Sequence, residues 1–235
     1  QHSQTVHPGV YRDMMRADGA QVTTVDFERG DTIPDLGGFD ALWVMGGPMD
    51  VWQEDEHPWL AGEKRAIREA VRERGMGYFG LCLGHQLLAA ACGGEVAPAG
   101  TSEIGVMTID LNREGAGSAW FAGVESGFPA LQWHYSEVVR PPEDARVLAH
   151  SPACAVQAMT LGPRVLSLQF HLEATRETVN DWRAIPGTDE LLVEAMGENG
   201  AELFTNAFIS REDEAHAVAR KVYANWRNAI LAAVA

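Results

Sequence analysis

Apolar positions along the first half of the chain alternate between short continuous runs and helical patterns. The runs Ala41-Leu42-Trp43-Val44-Met45 and Met76 to Leu81 read as buried parallel strands. Between them, Pro58 opens an amphipathic helix to Arg74 with Leu60, Ile67, Ala70 and Val71 on one face, and Gly75 closes it. Upstream, Pro8-Gly9 leads into a helix over Val10 to Ala17 stopped at Gly19, and the β-branched alternation of Gln21 to Phe27 predicts a strand. Downstream, Leu83 to Cys92 reads as a helix ended by Gly93-Gly94. Strands alternating with helices predict an α/β fold: a doubly wound, mostly parallel sheet, helices on both faces, and functional loops beyond the carboxyl ends of the strands.

The second half changes character. Ile104 to Leu111, Ala130 to His134, Arg146 to His150, Ala155 to Thr160 and Val165 to Phe170 are short strand-like runs with little helix between them. They predict a small antiparallel or mixed extension of the sheet, with one helical turn at Ser118 to Ala122. After residue 175 the pattern is helical again, over Thr178 to Ala184, near Glu190 to Met196, and over a terminal helix from about Glu212 to Ala232. No repeat or linker divides the chain, so 235 residues read as a single domain, 1–235, with a helical C-terminal extension from about 176.

Composition narrows the partners. A net charge of -15 disfavours nucleic acid and anionic membrane surfaces. No apolar stretch is long enough to span a bilayer, and Gln1-His2-Ser3-Gln4 lacks the pattern of a signal peptide, so a cytoplasmic protein, monomer or homodimer, is expected. Three cysteines without metal-type pairing fit a reducing compartment. Cys92 and Cys154 read as small core residues.

Cys82 is different. Gly80 and Gly84 flank it two residues away on either side, between an apolar strand and a helical pattern. That is what a sharp strand-to-helix turn needs to hold a nucleophile in a strained backbone. The sulfur would sit at a helix N-terminus, where the dipole and free N–H groups favour thiolate. The competing reading is a buried structural cysteine, so partners decide. A cysteine nucleophile needs a base, a carboxylate behind the base, and N–H donors where an oxyanion forms. The strand Leu166 to Phe170 ends in His171-Leu172-Glu173, which places imidazole and carboxylate on one side of an extended chain. Gly46-Gly47-Pro48 after a buried strand can present backbone N–H groups, with that of Leu83 as second donor. The polar run Asp50, Glu54, Asp55, Glu56 and His57 has no ligand spacing for a metal and reads as a solvated loop.

Gly46-Gly47-Pro48, then Gly80-x-Cys82-x-Gly84-x-Gln86, then Gln169-Phe170-His171-x-Glu173 resemble, in order and spacing, the class I (triad) glutamine amidotransferases over about residues 35 to 175. The resemblance implies a flavodoxin-like doubly wound fold. In it Cys82 attacks the glutamine side-chain amide, His171 acts as base and acid, and Glu173 orients the imidazole. It also implies an oxyanion hole from the Gly47 and Leu83 N–H groups, a substrate contact from Gln86, a γ-glutamyl thioester, and no cofactor or metal. More locally, Gly46 to Val51, Pro58-Trp59-Leu60 and Glu103-Ile104-Gly105 resemble the stand-alone branch related to the amidotransferase domain of GMP synthase.

In that branch the segment Gln132-Trp133-His134-Tyr135-Ser136 falls where a loop backbone grips the glutamine α-amino and α-carboxylate groups, so His134, Tyr135 and Ser136 are candidate substrate contacts. Leu172 replaces the family's usual proline, and the strand that normally precedes Gln1 is curtailed or lies ahead of the numbering. Ammonia would pass to a separate synthase partner, or the chain would act alone on γ-glutamyl peptides or amides. The other readings are a non-catalytic regulatory subunit keeping the fold, or a different cysteine-elbow α/β protein of the peptidase or chaperone-like type.

Overall fold

Side-chain alternation in one inner strand sets the layers of the molecule. In the computed structural model, which describes residues 1–232, β2 (Gly77–Leu81) is buried throughout. Its period of two sends Phe79 and Leu81 to one face and Tyr78 to the other. Parallel to it on either side run β1 (Ala41–Val44) and β7 (Val165–Leu168). The first face is covered by α1 (Tyr11–Ala17) and α7 (Gly200–Leu231), through Tyr11, Met15, Val218, Val222 and Trp226. The second is covered by α2 (Trp59–Arg68) and α3 (Leu83–Ala91), through Leu60, Ile67, Leu83 and Leu87. Helices therefore lie on both faces, as the hydrophobic pattern predicts.

Beyond β7 the sheet turns antiparallel. β6 (Ala158–Thr160) pairs with β7 and with β5 (Arg146–His150), and the long hairpin of β3 (Glu95–Leu111) and β4 (Phe128–Arg140) follows. The spatial order is β1-β2-β7-β6-β5-β3-β4. The antiparallel extension thus contributes four strands, while the three parallel ones carry the turns of the candidate site. A short helix, α4 (Arg113–Ala116), and a 3-10 turn at Ala119–Phe121 follow β3. α5 (Arg176–Arg183) and α6 (Thr188–Met196) lie beside α7, where Val179, Trp182, Leu192, Phe204 and Phe208 cover Ile104 and Leu131 of the hairpin.

Several expectations need correction. Gln21 to Phe27 is not a strand: residues 21–26 are irregular and Val22 is exposed, because that face meets no apolar layer. Its backbone bonds to other parts of the chain go to Gln1 rather than to a strand, with Gln1 N donating to Val25 O and Phe27 N–H donating to Gln1 O. β1 is an edge strand among the described residues rather than a fully buried one, and only Val44 of its four residues is buried. α7 begins at Gly200, twelve residues ahead of the expected start, since Phe204 and Phe208 continue its apolar stripe. Residues 233–235 of the expected extension lie outside the described residues.

The two glycines around Cys82 are required by close approach. A Cβ on Gly84 would stand 2.2 Å from Val44 O, and one on Gly80 2.8 Å from the Gly84 backbone. The helix can therefore dock on β1 and β2 only if both positions lack side chains. Gly84→Ala is expected to destabilise the protein by about 1–3 kcal/mol, read as a lower urea midpoint at unchanged m-value; an unchanged midpoint would show that the docking relaxes at no cost.

Candidate active site

The turn between β2 and α3 holds Cys82 at φ 52°, the one positive-φ non-glycine among the described residues. An L-residue in that region is strained by about 1–3 kcal/mol and persists only when its surroundings enforce it. Here the Cys82 N–H donates to Leu168 O at 2.8 Å, and the Tyr78 hydroxyl donates to Gly84 O at 2.8 Å. The sulfur is thereby directed past the carboxyl end of β7. There Gln169 Nε2 lies 3.6 Å from it, and the Trp133 carbonyl oxygen 3.9 Å.

His171 follows Gln169 on the same side of the extended chain. Its N–H donates to Leu131 O at 2.8 Å, which fixes the backbone against β4. Its Nδ1 donates to Glu173 Oε1 at 2.5 Å, and the edge of Trp182 packs on the ring at 5.0 Å between centroids. Trp182 is itself tethered through Nε1 to Thr5 O at 3.0 Å. Glu173 is fully buried, its carbonyl accepts from Val10 N–H, and α1 reaches it closely because Gly9 precedes. Burial alone would lower the His171 pKa. The Glu173 carboxylate and the neighbouring Cys82 sulfur outweigh it and raise the imidazole to about 10.

Gly46 lies against both partners: a Cβ there would stand 3.2 Å from His171 Cε1 and 3.4 Å from Cys82 Cβ. Neither Gly47 N–H nor Leu83 N–H donates to a protein acceptor among the described residues. Cys82, His171, Glu173, Gly47 and Leu83, scattered over some 125 residues of sequence, are thus brought to one place.

The other candidates behave differently. Gln86 Nε2 donates to Ser136 O at 2.9 Å and to Gln169 Oε1 at 3.1 Å, so it ties the 133–136 segment to the strand behind the sulfur. The Ser136 hydroxyl donates to Asp50 Oδ1 at 2.6 Å, and Tyr135 is exposed. His134 turns inward, with Nδ1 facing Ser136 O and Nε2 facing Glu103 Oε2, both at 3.1 Å. Its side chain is therefore unavailable to a ligand. Glu103, His134 and Cys154 bring potential metal-ligand atoms within 4.8 Å of one another. The Gln157 amide N–H already donates to Glu103 Oε2 at 2.6 Å, and burial pushes the Cys154 thiol up to about 12, which disfavours the thiolate a metal needs. Hydrogen bonds account for this cluster.

Sequence reasoning missed Gln169 as a neighbour of the sulfur, although it stands two residues before His171 and shares its face. Asp50 does not belong to a purely solvated loop, because it accepts from Ser136 across a gap of 86 residues. Trp182, over the imidazole, gave no local signal.

A thiol on a strained strand-to-helix elbow, facing a carboxylate-backed imidazole at the carboxyl ends of parallel strands, defines a class of cysteine-elbow α/β proteins. The profile of the family Glutamine amidotransferase class-I matches residues 9–181, and the chain belongs to that family. It is similar to the GMP synthase [glutamine-hydrolyzing] of Aeropyrum pernix, with 32% identity over 186 residues, 76% of this chain and 32% of that one. It thus spans about a third of that relative's length. One of the subunits of the GMP synthase [glutamine-hydrolyzing] of Sulfolobus acidocaldarius is 34% identical over 143 residues, 60% of this chain and 71% of the relative. The fold matches a glutamine amidotransferase of Thermotoga maritima with a TM-score of 0.84 at 22% identity, over 98% of this chain and 95% of that one.

The charge environment of His171 makes a spectroscopic prediction. Removing the Glu173 charge removes a raising influence and leaves burial, which lowers. Glu173→Gln is therefore expected to move the His171 titration midpoint, followed by imidazole NMR, downward from about 10; an unmoved midpoint would mean that Glu173 does not hold the proton.

Proposed function

We propose that the chain hydrolyses the side-chain amide of glutamine, or a related γ-glutamyl amide, to glutamate and ammonia. Cys82 is the nucleophile, His171 the acid and base, and Glu173 the orienting carboxylate. The observation that carries this reading is the convergence of the strained Cys82 with an imidazole backed by a carboxylate at 2.5 Å.

The chemistry follows from the placement. Cys82 gives its thiol proton to His171, the sulfur adds to the amide carbon, and the carbonyl electron pair moves to oxygen, where the Gly47 and Leu83 N–H groups receive it. Collapse expels the nitrogen, which takes a proton from His171 and leaves as ammonia, with a γ-glutamyl thioester remaining. Water then adds to the thioester carbon and gives a proton to His171. The second collapse releases glutamate and returns the sulfur. Glu173 stays ionised and keeps the imidazole in one tautomer. The backbone of Trp133 to Ser136 grips the α-amino and α-carboxylate groups, with Gln86 holding that segment in place and Tyr135 at its exposed edge.

Residues 1–235 act in this reading as one amidotransferase unit whose ammonia goes to a separate synthase partner. The likeness to a protein that is one of the subunits of a GMP synthase supports that destination. Glutamate release that is low in the isolated chain and rises with a co-purifying partner is the expected result; full release without one would assign the chain to stand-alone γ-glutamyl hydrolysis.

Cys82→Ala is expected to lower glutamate release by about 10⁴-fold or more across glutamine, γ-glutamyl amines and γ-glutamyl peptides. A glutamine-analogue diazoketone should label Cys82 alone, because burial raises the Cys92 and Cys154 thiols and keeps them unreactive. Labelling at either of those two would overturn the assignment.

A further inference from the structure

Behind the Gly46-Gly47-Pro48 turn lies a second buried histidine–carboxylate pair, one that the chemistry above does not use. His2 and Glu63 are both at most 5% exposed. His2 Nδ1 lies 2.8 Å from Gly46 O, and Nε2 lies 3.0 Å from each oxygen of Glu63. The imidazole stacks with Phe27 at 5.8 Å and Trp59 at 5.3 Å between centroids. Glu63 projects from the apolar face of α2, three residues after Leu60 and four before Ile67. A carboxylate is costly at such a position unless it is paired.

The Gly46-Gly47 peptide needs an external anchor. Two successive glycines leave its plane less restrained than any other pair of residues would. The bond is trans, so its C=O and N–H point in opposite directions. A donor that holds Gly46 O on the His2 side therefore aims Gly47 N–H away from His2. Gly46 Cα itself lies against Cys82 and His171.

We propose that His2 and Glu63 are positioning residues for the oxyanion hole. His2 holds the Gly46 carbonyl so that Gly47 N–H is aimed before substrate arrives, and Glu63 holds His2 in register. The inference rests on the reading of Gly47 as an oxyanion donor.

Two substitutions at one position separate this role from plain packing. His2→Asn keeps an amide N–H near the place of Nδ1, facing Gly46 O. His2→Gln carries it toward the place of Nε2, facing Glu63. With glutamine as substrate, His2→Gln is expected to lower kcat by roughly ten- to a hundredfold with KM changed less than about twofold, since only the transition state uses the hole. His2→Asn should recover most of that loss, and Glu63→Gln, which leaves His2 in place, should show a smaller fall in kcat at unchanged KM.

The aldehyde analogue of glutamine, which adds to Cys82 and places its oxygen in the hole, should bind His2→Gln more weakly by the same factor. Glutamate affinity and iodoacetamide alkylation of Cys82 should not move. Equal kcat in His2→Gln and wild type, or equal losses in both His2 variants together with weaker glutamate binding, would overturn the positioning role. A wild-type chain that neither turns over γ-glutamyl compounds nor binds the aldehyde would instead overturn the hydrolase reading beneath it.

Discussion

The backbone of Cys82, held in the left-handed region between β2 and α3, is the constraint on which the site depends. Strain there turns the sulfur out of the sheet and brings the start of α3 toward the Gly46-Gly47-Pro48 turn. It survives because three strands hold it at once. The Cys82 N–H is bonded to β7, the Gly84 N–H donates to Met45 O at the end of β1, and the Tyr78 hydroxyl of β2 closes on Gly84 O. The missing side chain of Gly84 lets α3 sit directly on β1. A conformation costing a few kcal/mol is thereby made obligatory by contacts that stabilise the whole parallel half of the sheet.

Around this elbow two buried histidines show how surroundings decide chemistry. His85, three residues along α3, accepts from Ser167 at Nδ1 and donates to Val156 O at Nε2. No carboxylate among the described residues bonds to it, and burial pushes it down to about 3, so it serves as a neutral strut between α3 and the sheet. His171 is as deeply placed but is bonded to Glu173, and its pKa is raised. The same side chain, similarly buried, is thus shifted in opposite directions, upward where a carboxylate and the Cys82 sulfur face it and downward where burial prevails. Gln169, Gln86 and Ser136 form a chain of bonds from the sulfur to Asp50, whereas Glu173 Oε2 and both polar atoms of the Gln132 side chain are buried without a partner among the described residues.

What the sequence revealed follows from the range of the interactions involved. β2, α3 and the Gly-x-Cys-x-Gly spacing were legible because periodicity and glycine chemistry are local. His171 and Glu173 were legible as a pair because a strand end places alternate residues on one side. Gln21 to Phe27 misled because β-branched residues favour extended backbone whether or not a neighbouring strand exists to bond it. The early start of α7 was open to a local reading, since Phe204 and Phe208 continue its apolar stripe, but the cover of His171 by Trp182 depends on the packing of the last three helices on the β3–β4 hairpin, which no local pattern encodes. His134 shows the reverse limit: the carbonyl of its neighbour Trp133 lies beside the sulfur, while the His134 side chain belongs to the interior with Glu103.

The most direct measurement is acid-quench mass spectrometry of the peptide carrying Cys82, taken during turnover of glutamine. A γ-glutamyl increment on Cys82 that appears before free glutamate reaches its steady rate, and that is lost on treatment with hydroxylamine, is the predicted result. Glutamate accumulating while Cys82 stays unmodified, with the increment on another residue or on none, would contradict covalent catalysis at the elbow.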